Sequence, residues 1–197
     1  MPKISEIEPT PNPNAMKFVL KEPLTWGVSR SYDSAQQAEQ AEQADDRELA
    51  SALFAIPHVT NVFYVDRWIT VTQDGGASWP ELLRELAQPI REAPAAQVRS
   101  EAIAQAAALD SDDIDESAMS AEDRAKLRRI TDILDERVRP YLQGDGGDLY
   151  VVGLVGKELQ VHYQGACGSC PSSLAGTLSG IESMVREIDP EMVVVPV

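Results

Sequence analysis

Long apolar runs, cysteines and basic residues are all scarce in this sequence of 197 residues. No run approaches the roughly 18 apolar residues of a membrane-spanning helix, so we expect no transmembrane segment. Acidic residues outnumber basic ones 32 to 17, and the net charge is −15 with histidine neutral. A chain so negative repels phosphate groups, and we therefore expect neither nucleic acid nor an anionic membrane as a partner.

Targeting signals are also missing from the start of the chain. Residues 1–6 lack the apolar core of a signal peptide, and they lack the arginine-rich, acid-poor character of a transit peptide. We therefore expect a cytoplasmic, bacterial-type location.

A change of composition over residues 93–119 divides the chain. This segment runs from alanine and glutamine into a cluster of acids, which predicts a flexible linker that is partly helical over 99–109. The linker separates a domain at 1–92 from a domain at 120–197, and the second domain holds only −4 of the net charge. We expect an α+β protein of two small domains, each with a short sheet and two main helices.

The first domain combines strand-like and helix-like patterns. Residues 34–44 are polar and favour a helix, which should continue into a helix with an apolar stripe that Pro57 ends. A further helix is predicted with Pro80 in its first turn, where proline is tolerated. The stripe comprises Leu49, Ala52, Leu53 and Ile56, the strands cover 15–20, 59–65 and 68–72, and the further helix covers 79–90.

The second domain should begin with an amphipathic helix, because Ser120 followed by Asp123 resembles a capping box. A glycine-rich turn at 144–148 follows, in which Asp145 and Asp148 have the features of ordinary turn residues. The predicted stripe of this helix comprises Leu127, Ile130, Ile133, Leu134, Val138 and Leu142, the strands cover 149–155, 159–163 and 192–197, and the last helix runs from 171 to 188.

The two cysteines, Cys167 and Cys170, form a C-x-x-C motif. Gly165 and Gly168 allow the backbone to curl, so both thiols can face one centre. Pro171 suits the first turn of the next helix, and the positive end of that helix favours thiolates. A thiolate is both a nucleophile and a metal ligand, so redox and metal roles remain open, beside the plain reading of a structural disulfide or two buried thiols.

The number of ligands favours a shared site if the motif binds metal. Zinc sites and iron–sulfur clusters commonly take four protein ligands, whereas this chain has two cysteines. His58 and His162 are not spaced to complete a zinc finger. Two copies of the loop around a twofold axis would supply four thiolates. Such a site would lie at the surface between subunits and would be labile, which suits assembly and transfer of a cluster.

Two groups of motifs resemble a known family. Residues 134–140, 144–148 and 165–173 resemble the C-terminal domain of NifU, the Nfu-type iron–sulfur scaffold domain. The remaining motifs, at 9–18, 53–57, 62–65 and 68–72, resemble the Nfu N-terminal domain. Residues 21–44 depart from the family pattern.

The resemblance implies an iron–sulfur cluster scaffold and carrier, not an enzyme. It implies a [4Fe–4S] cluster held between two subunits of a cluster-dependent homodimer, with Cys167 and Cys170 of each chain as ligands. The cluster would arrive from upstream iron–sulfur assembly proteins and pass to apo iron–sulfur client proteins. Two alternatives remain, a thiol–disulfide oxidoreductase that uses the C-x-x-C motif and a zinc-bridged structural dimer.

Overall fold

The computed structural model describes residues 2–96, 119–168 and 171–197. These residues fall into two compact units, one on each side of residues 97–118. Each unit combines helices with a sheet, which confirms the α+β class. Most of the predicted linker lies outside the described residues, so the bounds of the domains stay a prediction. Within the described ranges, no helix is long and apolar enough to span a membrane.

The first unit contains a five-stranded antiparallel sheet with the strand order β1-β2-β5-β4-β3. Phe18 pairs with Ile69, and Ile69 pairs with Tyr64 on the next strand, so all three point to the same face of the sheet. That face forms the core with the helices. The strands are β1 (Ile4–Pro9), β2 (Ala15–Leu20), β3 (Arg30–Tyr32), β4 (Val59–Val65) and β5 (Trp68–Gln73).

The helices of the first unit differ from the prediction near its middle. The segment at 34–44 does not continue into the next helix, because α1 ends at Glu39 and α2 begins at Ala44. Ala52 is exposed, and the buried positions of α2 are Leu49, Ala50 and Leu53. The three helices described here are α1 (Ala35–Glu39), α2 (Ala44–Phe54) and α3 (Trp79–Glu92).

The second unit packs helices on a three-stranded sheet with the order β6-β7-β8. Strands β6 and β7 form a hairpin around Gly156, and β8 lies parallel to β7. Ser120 caps α4 as predicted, since its hydroxyl accepts from the backbone N–H of Asp123. The elements are α4 (Ala121–Arg137), α5 (Arg139–Gly144), β6 (Gly147–Val155), β7 (Glu158–Gly165), α6 (Pro171–Arg186) and β8 (Val193–Pro196).

The predicted single helix from Leu127 to Leu142 is two helices. Val138 ends α4, and Pro140 lies in the first turn of α5. A proline has no N–H to donate and its ring crowds the preceding turn, so the chain begins a new helix there. Leu142 still reaches the core from α5.

Candidate functional site

Cys167 lies in a tight turn between the end of β7 and the start of α6. Gly165 ends the strand with φ of +65°, a left-handed conformation that favours glycine. The N–H of Ala166 then donates to the carbonyl of Gly146 at 3.1 Å, and the N–H of Gly168 donates to the carbonyl of Gly165 at 3.2 Å. These bonds fold the turn over the start of β6. Cys167 is left 4% exposed, as part of the hydrophobic core.

Gly147, at the start of β6, forms the floor under the Cys167 side chain. A Cβ added to Gly147 would lie 2.5 Å from the Cys167 sulfur and 2.8 Å from the carbonyl oxygen of Gln164. No side chain fits in that space, so only glycine allows Cys167 its position. The glycine-rich motif at 144–148 therefore lies against Cys167, although the two are about twenty residues apart in the sequence.

A buried carboxylate fixes the backbone next to Gly147. Asp148 is 2% exposed, and its Oδ1 lies 3.2 Å from Nε of Arg139. Gln143 donates to the Oδ2 of Asp148 at 3.1 Å, and the N–H of Leu149 donates to Oδ1 at 2.8 Å. Arg139 also donates to the carbonyl of Leu149 at 3.2 Å. The start of β6 is thereby tied to α5, which holds the floor of the cysteine site in place.

Tyr163 of β7 is the polar side chain of the core that Cys167 joins. Its hydroxyl oxygen is buried and has no hydrogen-bond partner in the structure. Burial raises the pKa of Tyr163, and the negative charge of a Cys167 thiolate raises it further, to about 12. The phenol of Tyr163 therefore keeps its proton at neutral pH and lies within electrostatic range of Cys167.

The other candidate site residues from the sequence are Cys170, His162 and His58. Cys170 lies outside the described residues, so the prediction that both sulfurs face one centre stays a prediction. The Nδ1 of His162 is 2.8 Å from the carbonyl oxygen of Val197, and the Nδ1 of His58 is 3.0 Å from an oxygen of Asp74. Across residues 2–96, 119–168 and 171–197, no group of three or more histidine, cysteine or acidic side chains could hold a metal ion.

Comparison with protein families matches both units. The family model "Scaffold protein Nfu/NifU N terminal" matches residues 4–97, and the model "NifU-like domain" matches residues 130–196. The chain belongs to the Nfu/NifU family. The resemblance that the sequence motifs indicate is thus confirmed, and the cysteine turn lies within the NifU-like domain.

Named relatives of this family align with almost the whole chain. The "NFU1 iron-sulfur cluster scaffold homolog, mitochondrial" of Drosophila ananassae is 30% identical over 190 residues, which covers 95% of this chain and 61% of that protein. The "NifU-like protein 4, mitochondrial" of Arabidopsis thaliana is 29% identical over 189 residues, with 95% and 63% covered. This chain therefore spans about three fifths of the length of these relatives.

The family motif near the N-terminus has a structural role in the first unit. Asn12 is 4% exposed, and its side-chain oxygen accepts from the N–H of Asn14 at 3.0 Å. Thr10 donates to the carbonyl of Asn12 at 2.9 Å, and the indole N–H of Trp79 donates to the carbonyl of Pro13 at 2.9 Å. These bonds shape the connection between β1 and β2 and attach it to α3.

The segment that departs from the family pattern contains Trp26, which is half-buried. Its indole N–H donates to the carbonyl of Ala96 at 3.4 Å. This contact ties Trp26 to the chain after α3.

Sequence reasoning missed the role of three residues of the family domain. Asp148 resembles a turn residue in the sequence, but it is a buried member of β6, whereas Asp145 is exposed. Arg139 belongs to the family motif at 134–140 but had no assigned role, and Tyr163 was not connected with the cysteines. An arginine six residues before a D-G-G-D motif was the available signal, since an aspartate between a glycine and an apolar strand needs a partner when it is buried.

Proposed function

We propose that this protein is a scaffold and carrier, not an enzyme, whose cargo is a [4Fe–4S] cluster. Cys167 and Cys170 of two subunits supply the four ligands, and the cluster passes to apo-proteins by ligand exchange. The observation that carries the proposal is the position of Cys167, whose sulfur lies in a glycine-lined turn that leads into helix α6 of a NifU-like domain.

The supply of ligands supports a shared site. Iron–sulfur clusters commonly take four cysteines, and this chain has two. A twofold pair of chains provides the missing half with the same loop. Helix α6 begins at Pro171, directly after Cys170, and the partial positive charge at its start favours the thiolate forms that ligate iron.

The burial of Cys167 favours a carrier over a thiol–disulfide oxidoreductase. A sulfur that is 4% exposed is out of reach of a disulfide on a protein substrate, whereas reactive cysteines lie in partly exposed surroundings. An incoming cluster is small, and a change in the turn is enough to present the sulfur to it. Loading therefore includes a local change of the cysteine turn that gives the cluster access to the Cys167 sulfur at the edge of the core.

The partners follow from this role. Upstream assembly proteins supply the cluster, apo iron–sulfur proteins receive it, and the first unit selects the donor or the recipient. We propose a cytoplasmic location with no nucleic acid or membrane as partner. The two relatives above are named as mitochondrial proteins, so fractionation of the host cell, with detection of the protein in the soluble cytoplasmic fraction, tests that location.

Anaerobic reconstitution with iron and sulfide tests the main proposal. The full chain should bind about four iron and four sulfide per dimer, show the Mössbauer spectrum of a [4Fe–4S] cluster, and change in solution from monomer to dimer. The loaded protein should then activate an apo-protein that needs such a cluster. Cys167→Ser and Cys170→Ser should each prevent loading without unfolding either unit, while the control His162→Gln should load normally.

Other outcomes identify the alternatives. An intact cluster in either cysteine variant would reject the ligand assignment. Reduction of a model disulfide by the iron-free monomer would identify an oxidoreductase. Tightly bound zinc, loss of the dimer on chelation and no cluster transfer would identify a structural zinc dimer.

A further inference from the structure

The hydroxyl of Tyr163 is a buried hydrogen-bond donor with no acceptor. The residue is 7% exposed, and its oxygen is shielded from solvent. A buried polar group without a partner is costly, and in native proteins nearly all such groups are satisfied. A phenylalanine would fill the same space without this penalty. Among the residues that the structure describes, this hydroxyl has no acceptor, so it can donate to one that a bound ligand creates.

Cys167 is a member of the same core cluster that becomes an acceptor when it binds metal. Tyr163 and Cys167 belong to the same core cluster, at the end where β7 leads into the cysteine turn. The turn also folds back over Tyr163, because a Cβ on Gly168 would lie 3.0 Å from the Tyr163 carbonyl oxygen. A neutral thiol is a weak acceptor, whereas a thiolate that ligates iron carries charge and accepts well.

We propose that Tyr163 donates its phenolic O–H to the Cys167 sulfur when that sulfur ligates the cluster, and that this bond sets the reduction potential of the cargo. The inference rests on the proposed function above. Hydrogen bonds to the sulfurs are among the factors that set the potential of an iron–sulfur cluster. The bond stabilises negative charge on sulfur, which is greater in the reduced cluster, so it makes the cluster easier to reduce.

Tyr163→Phe tests the proposal in the full chain, with Tyr141→Phe as the control. Tyr141 lies on α5 and is 76% exposed, so its hydroxyl is already in solvent. Three readouts are compared: urea unfolding of the cluster-free protein, the midpoint potential of the loaded protein, and the shift of its Fe–S(Cys) Raman bands in D₂O. The Raman shift reports an exchangeable proton on a ligand sulfur.

The expected effect of Tyr163→Phe differs between the cluster-free and the cluster-loaded protein. Without cluster, Tyr163→Phe should be as stable as the wild type or more stable, because no bond is lost. With cluster, it should favour the oxidised form about tenfold, which for one electron lowers the potential by about 59 mV. The D₂O shift of the Raman bands should also decrease. Tyr141→Phe should match the wild type in all three readouts.

Each contrary result overturns the inference in a recognisable way. An unchanged potential with unchanged Raman bands would show that the hydroxyl does not contact a ligand sulfur. A clear loss of stability in the cluster-free variant would show that the hydroxyl already has another partner. Failure of the wild-type chain to take up a cluster would reject the proposed function itself, and this inference with it.

Discussion

The glycine floor of the cysteine site yields the sharpest prediction, through Gly147→Ala. The new methyl carbon would lie 2.5 Å from the Cys167 sulfur and 2.8 Å from the carbonyl oxygen of Gln164, whereas non-bonded heavy atoms favour about 3.5–4.0 Å. The Gln164 carbonyl belongs to the strand next to β6, so the backbone cannot yield cheaply. The cysteine turn must therefore move by about 1 Å.

The magnitude follows from this overlap. Inserting a methyl group into a packed core costs about 1–3 kcal/mol, and the contact here involves both a sulfur and a backbone oxygen, so we expect about 2 kcal/mol of destabilisation. For a domain of this size, such a loss lowers the melting temperature by about 10 °C. The displaced Cys167 should also react faster with an alkylating reagent, because its sulfur leaves the core.

The unfolding of the two units can be followed separately, so the destabilisation by Gly147→Ala can be assigned to the second unit. The three tryptophans, Trp26, Trp68 and Trp79, all lie in the first unit, so their fluorescence follows that unit alone. We expect the fluorescence transition in urea to stay unchanged, while circular dichroism shows an earlier loss of the second unit. Gly153→Ala on the same strand is the matched control, because its Cβ would meet only a Gln160 side-chain oxygen at 3.8 Å.

One result would refute this reasoning. If Gly147→Ala unfolds at the same urea concentration as Gly153→Ala, and Cys167 reacts at the wild-type rate in both, the cysteine does not lie against Gly147. Faster alkylation without destabilisation would instead show that the turn moves at little cost. That outcome would contradict the predicted loss of about 2 kcal/mol in stability, but it would not contradict the contact between Gly147 and Cys167.

Three further predictions concern the buried polar groups. Asp148→Asn should destabilise the second unit by about 3 kcal/mol in urea, since it leaves Arg139 without its buried carboxylate, and a double-mutant cycle with Arg139→Gln should show coupling. Stability of the second unit should fall as pH rises from 10 to about 12, because the folded state holds the proton of Tyr163 more tightly than the unfolded state does; Tyr163→Phe should flatten this fall in pH-dependent urea titrations. Tyr64→Phe should cost the first unit about 2 kcal/mol in tryptophan-detected unfolding, because the Tyr64 hydroxyl donates to a carboxylate oxygen of Asp46 at 2.7 Å; an unchanged midpoint would contradict this.

Local patterns predicted the elements well where one principle dominates. The strand at 59–65 is observed with the predicted bounds, because β-branched and aromatic residues are concentrated there. Ser120 begins α4 because its hydroxyl satisfies a free N–H of the first turn, which is a local effect. The break at Val138 was also readable from Pro140, although the continuous apolar stripe conceals it.

The site itself depends on contacts between distant parts of the chain. In the sequence, Gly147 looks like an ordinary turn glycine. The lack of space for a side chain at this position becomes apparent only when Gly147 pairs with Gly165 across the sheet. Asp148 resembles a turn residue until α5 folds back and places Arg139 against it. The C-x-x-C motif predicted redox or metal chemistry at Cys167, but the burial of Cys167 is a property of the assembled core.

The shielded position of Cys167 has a consequence for the empty protein. Peroxide and glutathione disulfide oxidise thiolates that they can reach, and a sulfur packed inside the core against the first residue of a strand is shielded from both. The chain without a cluster is therefore expected to keep the Cys167 thiol chemically intact during an oxidising interval. The same packing that hides the sulfur from solvent protects it from oxidation.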